Sequence, residues 1–296
     1  MSNTDFVPEE ITFEKVNRSG ERIYLNEEFE RRVLLHIIGN SLDKPICPRF
    51  LAIEGAMGEG KSVQTLYSCL RNDIHTYYFS GAELSGELEA ASRDKLEKTF
   101  DYLKHHRQKD EFYVIIIDDF HLSVSSTDEK TTNTINSQIL TGYLMELADQ
   151  AKIEKGMRIP IILIANDFEK LHSPLVRDGR MDFFRWEPNE EVKKNLIRKI
   201  FSKTIHKDEE KAFKGFINQH ISEPVSFFSE ILNEAYKYDI LQVVASNKLG
   251  SMGEIVRNLN EKYKENISIN VEFMKEIVEK RKMDKPLDYL KEKSNG

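Results

Sequence analysis

Apolar positions follow two rhythms along the first two-thirds of the chain. The runs "FYVIIIDDF" and "IPIILIAND" are continuous rather than alternating, which predicts strands buried on both faces, and "RFLAIEG" and "HTYYFS" also read as strands. Between them the apolar spacing is helical. Val33 pairs with Ile37 and Leu34 with Ile38 in "NEEFERRVLLHIIGN", with Asn26 placed to cap that helix. Ile135, Ile139, Tyr143 and Leu147 mark a second helix at four-residue spacing. Another helix starts at Lys61, and a long charged one runs across roughly 86–106. "FFRWEP" predicts a short last strand, and "ITFEKV" a strand in an otherwise irregular N-terminal arm. Buried strands alternating with helices mean a parallel sheet covered on both sides. From Asn189 onward the strands stop and helical patterns take over, as in "NEEVKKNLIRKIF" and "MGEIVRNLNEKYKE". The expected organisation is an arm over 1–24, an α/β core over 25–188, and α-helices over 189–296. There is no internal repeat, and low complexity is confined to the tail "KEKSNG".

Composition narrows the function classes. With 40% apolar and 31% charged residues over 296 positions, the chain can bury a core. Its 43 basic against 50 acidic residues leave a net charge of −7, which argues against a primary role on nucleic acid. The local basic stripe "KKNLIRK" keeps a nucleic-acid motor or loader open as a lesser reading. Cys47 and Cys69 fit no metal or disulfide pattern and read as reduced thiols of a cytoplasmic protein. The start "MSNTDFVPEE" is too acidic and polar for a signal peptide. "IPIILIA", the longest apolar run, is too short to span a bilayer, so no membrane partner is expected.

The chemistry starts at "GAMGEGKS": Gly55, Ala56, Met57, Gly58, Glu59, Gly60, Lys61 and Ser62. This is the phosphate-binding pattern GxxxxGK[ST], set between a strand and a helix as its mechanism requires. Glycines let backbone N–H groups turn toward an anion, and the helix N-terminus adds partial positive charge. Lys61 supplies a full charge for the outer phosphates, and Ser62 a hydroxyl for Mg²⁺. A strand-end acid pair follows in "VIIIDD". Asp118 is placed to hold Mg²⁺ through water, and Asp119 to activate the attacking water. Asp119 is one methylene shorter than the glutamate many such hydrolases use, which predicts slow turnover. Asn166 ends the next strand, where functional side chains of a parallel sheet gather. Arg177 and Arg180 flank an Asp-Gly turn and suit an arginine finger reaching a neighbouring subunit's ATP. Each of these has a plainer alternative: acids and Asn cap turns, and "RDGR" makes a basic surface turn.

Taken together, the order of phosphate loop, acid-ended strand, strand-end Asn and "RDGR" resembles that of the AAA+ ATPases, and among them Rubisco activase. The carrying stretches are "FERRVLLHIIGN", "GAMGEGKS", "SGAELSGE", "IPIILIANDFEKLHSPLVRDGRMDFFRWEP" and, more weakly, "VSFFSEILNEAYKYD", spanning about residues 24–240. The resemblance implies a P-loop α/β core with a parallel sheet flanked by helices, followed by an α-helical lid. It implies Mg²⁺-dependent ATP hydrolysis by a closed homo-oligomeric ring, with six subunits expected, that remodels a protein client. Asn166 matches the first sensor, and "GAELSGE" the loop facing the central pore, where Leu84 is the apolar residue to grip a client. Phe227 and Phe228 are followed by "SEILNEAYKYD", without the lid arginine of the family. The short N-terminal region and the last fifty residues match no client-selecting part. An ATP-loaded oligomeric switch or scaffold that recruits an effector is the competing reading.

Overall fold

The computed structural model describes residues 6–12, 23–84, 91–108, 110–120, 131–154, 156–168, 179–245, 251–264 and 268–284. Among them six strands make one sheet: β1 (Glu10–Ile11), β2 (Phe50–Glu54), β3 (His75–Ser80), β4 (Tyr113–Asp118), β5 (Ile161–Ile164) and β6 (Met181–Arg185). Their order across the sheet is β1-β3-β4-β5-β2-β6. The last five pair in parallel. β1 is antiparallel to β3, an antiparallel edge on an otherwise parallel sheet. The strand expected at "ITFEKV" is this two-residue β1, shifted one residue earlier, and 13–22 lie outside the described residues. A short antiparallel edge needs no crossover helix, and it covers the open N–H and C=O groups of β3.

Two helical layers bury the sheet. Phe50, Ala52, Phe79, Ile115, Ile117 and Leu163 point to one face. There they meet Leu96 and Phe100 of α4 (Ala91–His106) and Leu144 and Leu147 of α5 (Thr131–Gln150). The other face is covered by α1 (Glu27–Ser41) and α2 (Lys61–Leu70), which pack together, with α2 also against β3. Asn26 caps α1 as expected, its Oδ1 accepting from Phe29 N at 3.0 Å. Its own N–H donates to Gln64 Oε1 at 2.8 Å, which ties the start of α1 to α2. The inward stripe of α1 is Phe29, Val33, His36 and Ile37; Ile38, expected inside, is 50% exposed. His105 and His106 lie exposed on the last turn of α4, donating to the carbonyls of Asp101 and Tyr102.

"GAEL" forms the short helix α3 (Gly81–Leu84), and Leu84, expected to grip a client, is 1% exposed in the core beside Phe79 and Leu96. The period-3.6 turn swings this side chain inward, so it cannot grip a client. The rest of that stretch, 85–87, lies outside the described residues, as does the start of the long helix expected from 86.

Contacts divide the described chain into two compact units, one ending at Pro188 and the other running from Asn189 onward and including Tyr24. From Asn189 the second is helical: α6 (Glu190–Ile200), a 3₁₀ turn at Lys207–Glu209, α7 (Glu210–Gln219), α8 (Val225–Ala245), α9 (Met252–Lys264) and α10 (Val271–Asp284). Asn189 caps α6 through Val192 N at 3.0 Å. Ile197, Phe201, Phe213, Phe216, Phe228 and Met274 fill its core. An arginine does reach the double phenylalanine, but from α10: Arg281 lies 5.7 Å from the Phe227 ring centroid and pairs with Glu230. The tail from 285 lies outside the described residues. The architecture is thus an α/β core with a mostly parallel sheet, followed by a helical domain.

Candidate active site

β5 lies between β2 and β4, so the loop after β2, Asn166 and Asp118 all stand at one edge of the sheet. Strand order also reverses at β2, and ligands of open α/β sheets bind outside the carboxyl ends at such a point.

The loop after β2 is shaped by its glycines. Gly55 takes φ 153°, and a Cβ there would sit 2.2 Å from the carbonyl oxygen of Trp186. Only glycine lets the chain leave β2 against the end of β6. Gly58 and Gly60 have φ 78° and 84°, in the left-handed region. Gly60 begins α2 with no side-chain cap, and no acid occupies the first turn. The first N–H groups of α2 therefore face outward for an anion. Met57 points to solvent at 79% exposure. Glu59 is buried, and its carbonyl accepts from Trp186 Nε1 at 2.8 Å, anchoring the back of the loop. Trp186 packs edge-on to Phe29 with centroids 5.0 Å apart, within the first unit.

Lys61 lies in the fold of the loop. Its Nζ donates to Gly55 O at 2.7 Å, Ala56 O at 2.9 Å and Asn166 Oδ1 at 3.1 Å. The structure thus brings the loop lysine and the strand-end Asn into contact. Burial lowers the Lys61 pKa, while the charges of Asp118, Asp119 and Glu59 oppose that shift. Ser62 follows on the first turn of α2, half-buried.

Asp118 ends β4 at 6% exposure. Its Oδ1 accepts from Asp119 N at 2.9 Å, and its Oδ2 from the Tyr78 hydroxyl at 2.5 Å. Asp119 is exposed and has φ 50°. A Cβ on Gly81 would lie 2.1 Å from the Asp119 carbonyl oxygen, so α3 can start beside the acids only with glycine. Tyr78 and Gly81 were not legible as site residues. Nothing but the registry of Tyr78, on the strand beside "VIIIDD", and the place of Gly81 just after the strand of Tyr78 could have pointed to them.

The two arginines fare differently. Arg177 lies outside the described residues. Arg180 is held by its own chain: Nε and Nη2 reach Asp149 Oδ1 and Oδ2, on the last turn of α5, at 3.1 and 2.6 Å. Its side chain is 11% exposed. Hydrogen bonds from Lys152 and Arg180 hold the Asp149 carboxyl below its usual range.

Among the described residues no three or more His, Cys, Asp or Glu side chains cluster to hold a metal. Mg²⁺ at phosphate sites takes one or two protein oxygens and completes its shell with phosphates and water. Ser62 and Asp118 fit that sparser role. Among the described residues no helix is long and apolar enough to cross a membrane.

Comparison with known proteins agrees with this geometry. Residues 51–189 match the AAA family model, described as "ATPase family associated with various cellular activities". The chain is 30% identical over 234 residues to ribulose bisphosphate carboxylase/oxygenase activase of Anabaena sp. (strain CA), across 73% of this chain and 55% of that protein. It is 26% identical over 276 residues to the chloroplastic activase of Arabidopsis thaliana, across 88% of this chain and 57% of the relative. Activase 2 of Larrea tridentata shows 26% identity over 276 residues, 88% of this chain and 62% of the relative. The chain therefore spans between half and two-thirds of the length of these relatives. Residues 51–189 are an ATPase domain of the AAA family, in a chain similar over most of its length to the Rubisco activases.

Proposed function

We propose that this chain binds and hydrolyses ATP with Mg²⁺ and works as a homo-oligomeric ring that remodels a protein client. The observation that carries the reading is Lys61, hydrogen-bonded at once to its loop and to Asn166, with the Asp118–Asp119 pair at the same edge of the sheet. ATP brings the scissile phosphoanhydride, and Mg²⁺ offsets charge that develops on its oxygens. The loop N–H groups and Lys61 bind the phosphates. Ser62 and Asp118 would hold the metal, Asp118 through water. Asp119 takes the proton of the attacking water, and Asn166 orients that water. Arg177 and Arg180 reach across a subunit boundary and stabilise the transition state of the neighbour. Free Cys47 and Cys69 support a reducing compartment such as the cytoplasm.

The pairing of Arg180 with Asp149 favours a second reading beside the first. A finger held by its own chain acts only after exchange, which suits an ATP-loaded switch that recruits an effector and resets slowly. Mixing separates these readings. Arg180→Ala and Asp119→Asn should each lose roughly a thousandfold in turnover if the arginine acts in trans. Mixed together, some interfaces pair an intact acid with an intact arginine, and activity should partly return. Full activity of Arg180→Ala alone, or no rescue at any ratio, overturns the ring. A ring that turns over ATP but alters no protein it captures supports the switch.

A further inference from the structure

Beyond the loop and the acids, one side chain on a neighbouring strand engages the site. Tyr78 lies on β3, paired in register with Ile116 of β4, while Ser80 pairs with Asp118. Side chains two apart share a face in a strand, so Tyr78, Ile116 and Asp118 project to the same side. The tyrosine leans along the strand and bridges one pleat to reach the carboxylate. Its hydroxyl donates to Asp118 Oδ2 at 2.5 Å, and the Asp119 amide takes Oδ1 at 2.9 Å. Each carboxylate oxygen thus has one fixed donor, and each keeps a lone pair for a water. Asp118 is 6% exposed, and a buried carboxylate without partners would lose both its charge and its rotamer.

We propose that Tyr78 is a positioning residue that fixes the Asp118 carboxylate for metal binding through water. This rests on the Mg²⁺–ATP reading of the site. As a positioning residue Tyr78 acts by holding Asp118 at a set angle. The second donor comes from the backbone and survives any side-chain change, so the tyrosine is the replaceable half of the clamp.

The test uses the full chain and ATP titrated at stepped Mg²⁺ concentrations. In Tyr78→Phe, the loss of one hydrogen bond to a charged group should raise half-saturating Mg²⁺ by about tenfold. ATP affinity without Mg²⁺ should stay within about twofold, because no phosphate contact is lost. In an Asp118→Asn background the same substitution should add nothing to the Mg²⁺ effect. An unchanged Mg²⁺ dependence in a folded Tyr78→Phe, or an equal effect in the Asp118→Asn background, overturns the inference and leaves the ATPase reading intact. A wild-type chain that binds no nucleotide at any Mg²⁺ concentration overturns both. Should Tyr78→Phe fail to fold, infrared difference spectra of wild type against Asp118→Asn decide. A shifted tyrosine C–O band that persists with Mg²⁺ and ATP supports the clamp, and an unmoved band refutes it.

Discussion

Replacing Lys61 by alanine separates phosphate binding from local structure. The ammonium has three acceptors in the chain, at 2.7, 2.9 and 3.1 Å. Of these, Ala56 and Asn166 are exposed and Gly55 is half-buried, so water can take over as donor when the side chain is removed. Alanine also removes an ammonium that is largely buried. The two effects oppose each other, and the melting temperature should move by no more than about 4 °C, the shift expected for about 1 kcal/mol in a chain of this size. Nucleotide binding has no such compensation. A cation–phosphate hydrogen bond contributes about 1.5–3 kcal/mol, which corresponds to roughly a tenfold to hundredfold rise in Kd for ATP. Titration of wild type and Lys61→Ala with ATP and Mg²⁺, beside thermal melts of both, reads the two quantities. Affinity within about twofold of wild type in a folded variant refutes the phosphate-loop reading. Unfolding of the variant instead would make Lys61 a structural clamp.

Three further outcomes follow from particular contacts. Gly81→Ala places a Cβ 2.1 Å from the Asp119 carbonyl oxygen, so it should abolish turnover while ATP binding, read by titration, survives. Leu84→Ala opens a cavity beside Phe79 and Leu96 and should cost about 2–5 kcal/mol in denaturant unfolding, where a pore-facing leucine would cost almost nothing. His36 has its pKa lowered to about 4 by burial, against the pull of the Arg49 and Ile161 backbone. The unfolded chain, with the ordinary histidine value, then binds the extra proton first as pH falls. His36 stability is therefore complete above about pH 6.5 and is lost on acidification toward pH 4, by up to roughly 3 kcal/mol. In His36→Leu this contribution to the pH dependence should vanish. Parallel acid limbs in the two stability curves would exclude His36 as its source.

The sequence by itself determined the period of nearly every element and the type of chemistry. Short continuous apolar runs rich in β-branched residues, such as "VIIID", read as strands covered on both faces, and a glycine loop between strand and helix is local enough to read directly. The caps Asn26 and Asn189 belong to the same class, because a cap bonds a backbone group three residues away. Tertiary structure decided what depends on residues distant in the chain. The strand order that sets β5 between β2 and β4 puts Asn166 on Lys61, 105 residues earlier. The registry of β3 on β4 puts Tyr78 on Asp118. The end of α5 gives Asp149 to Arg180. Leu84 and Ile38 show the same limit in reverse: both are apolar in helical turns, yet one is buried and the other half exposed. A hydrophobic pattern states which residues can leave water. Which of them do so is settled by the element that packs opposite, and that partner is set by topology rather than by local sequence.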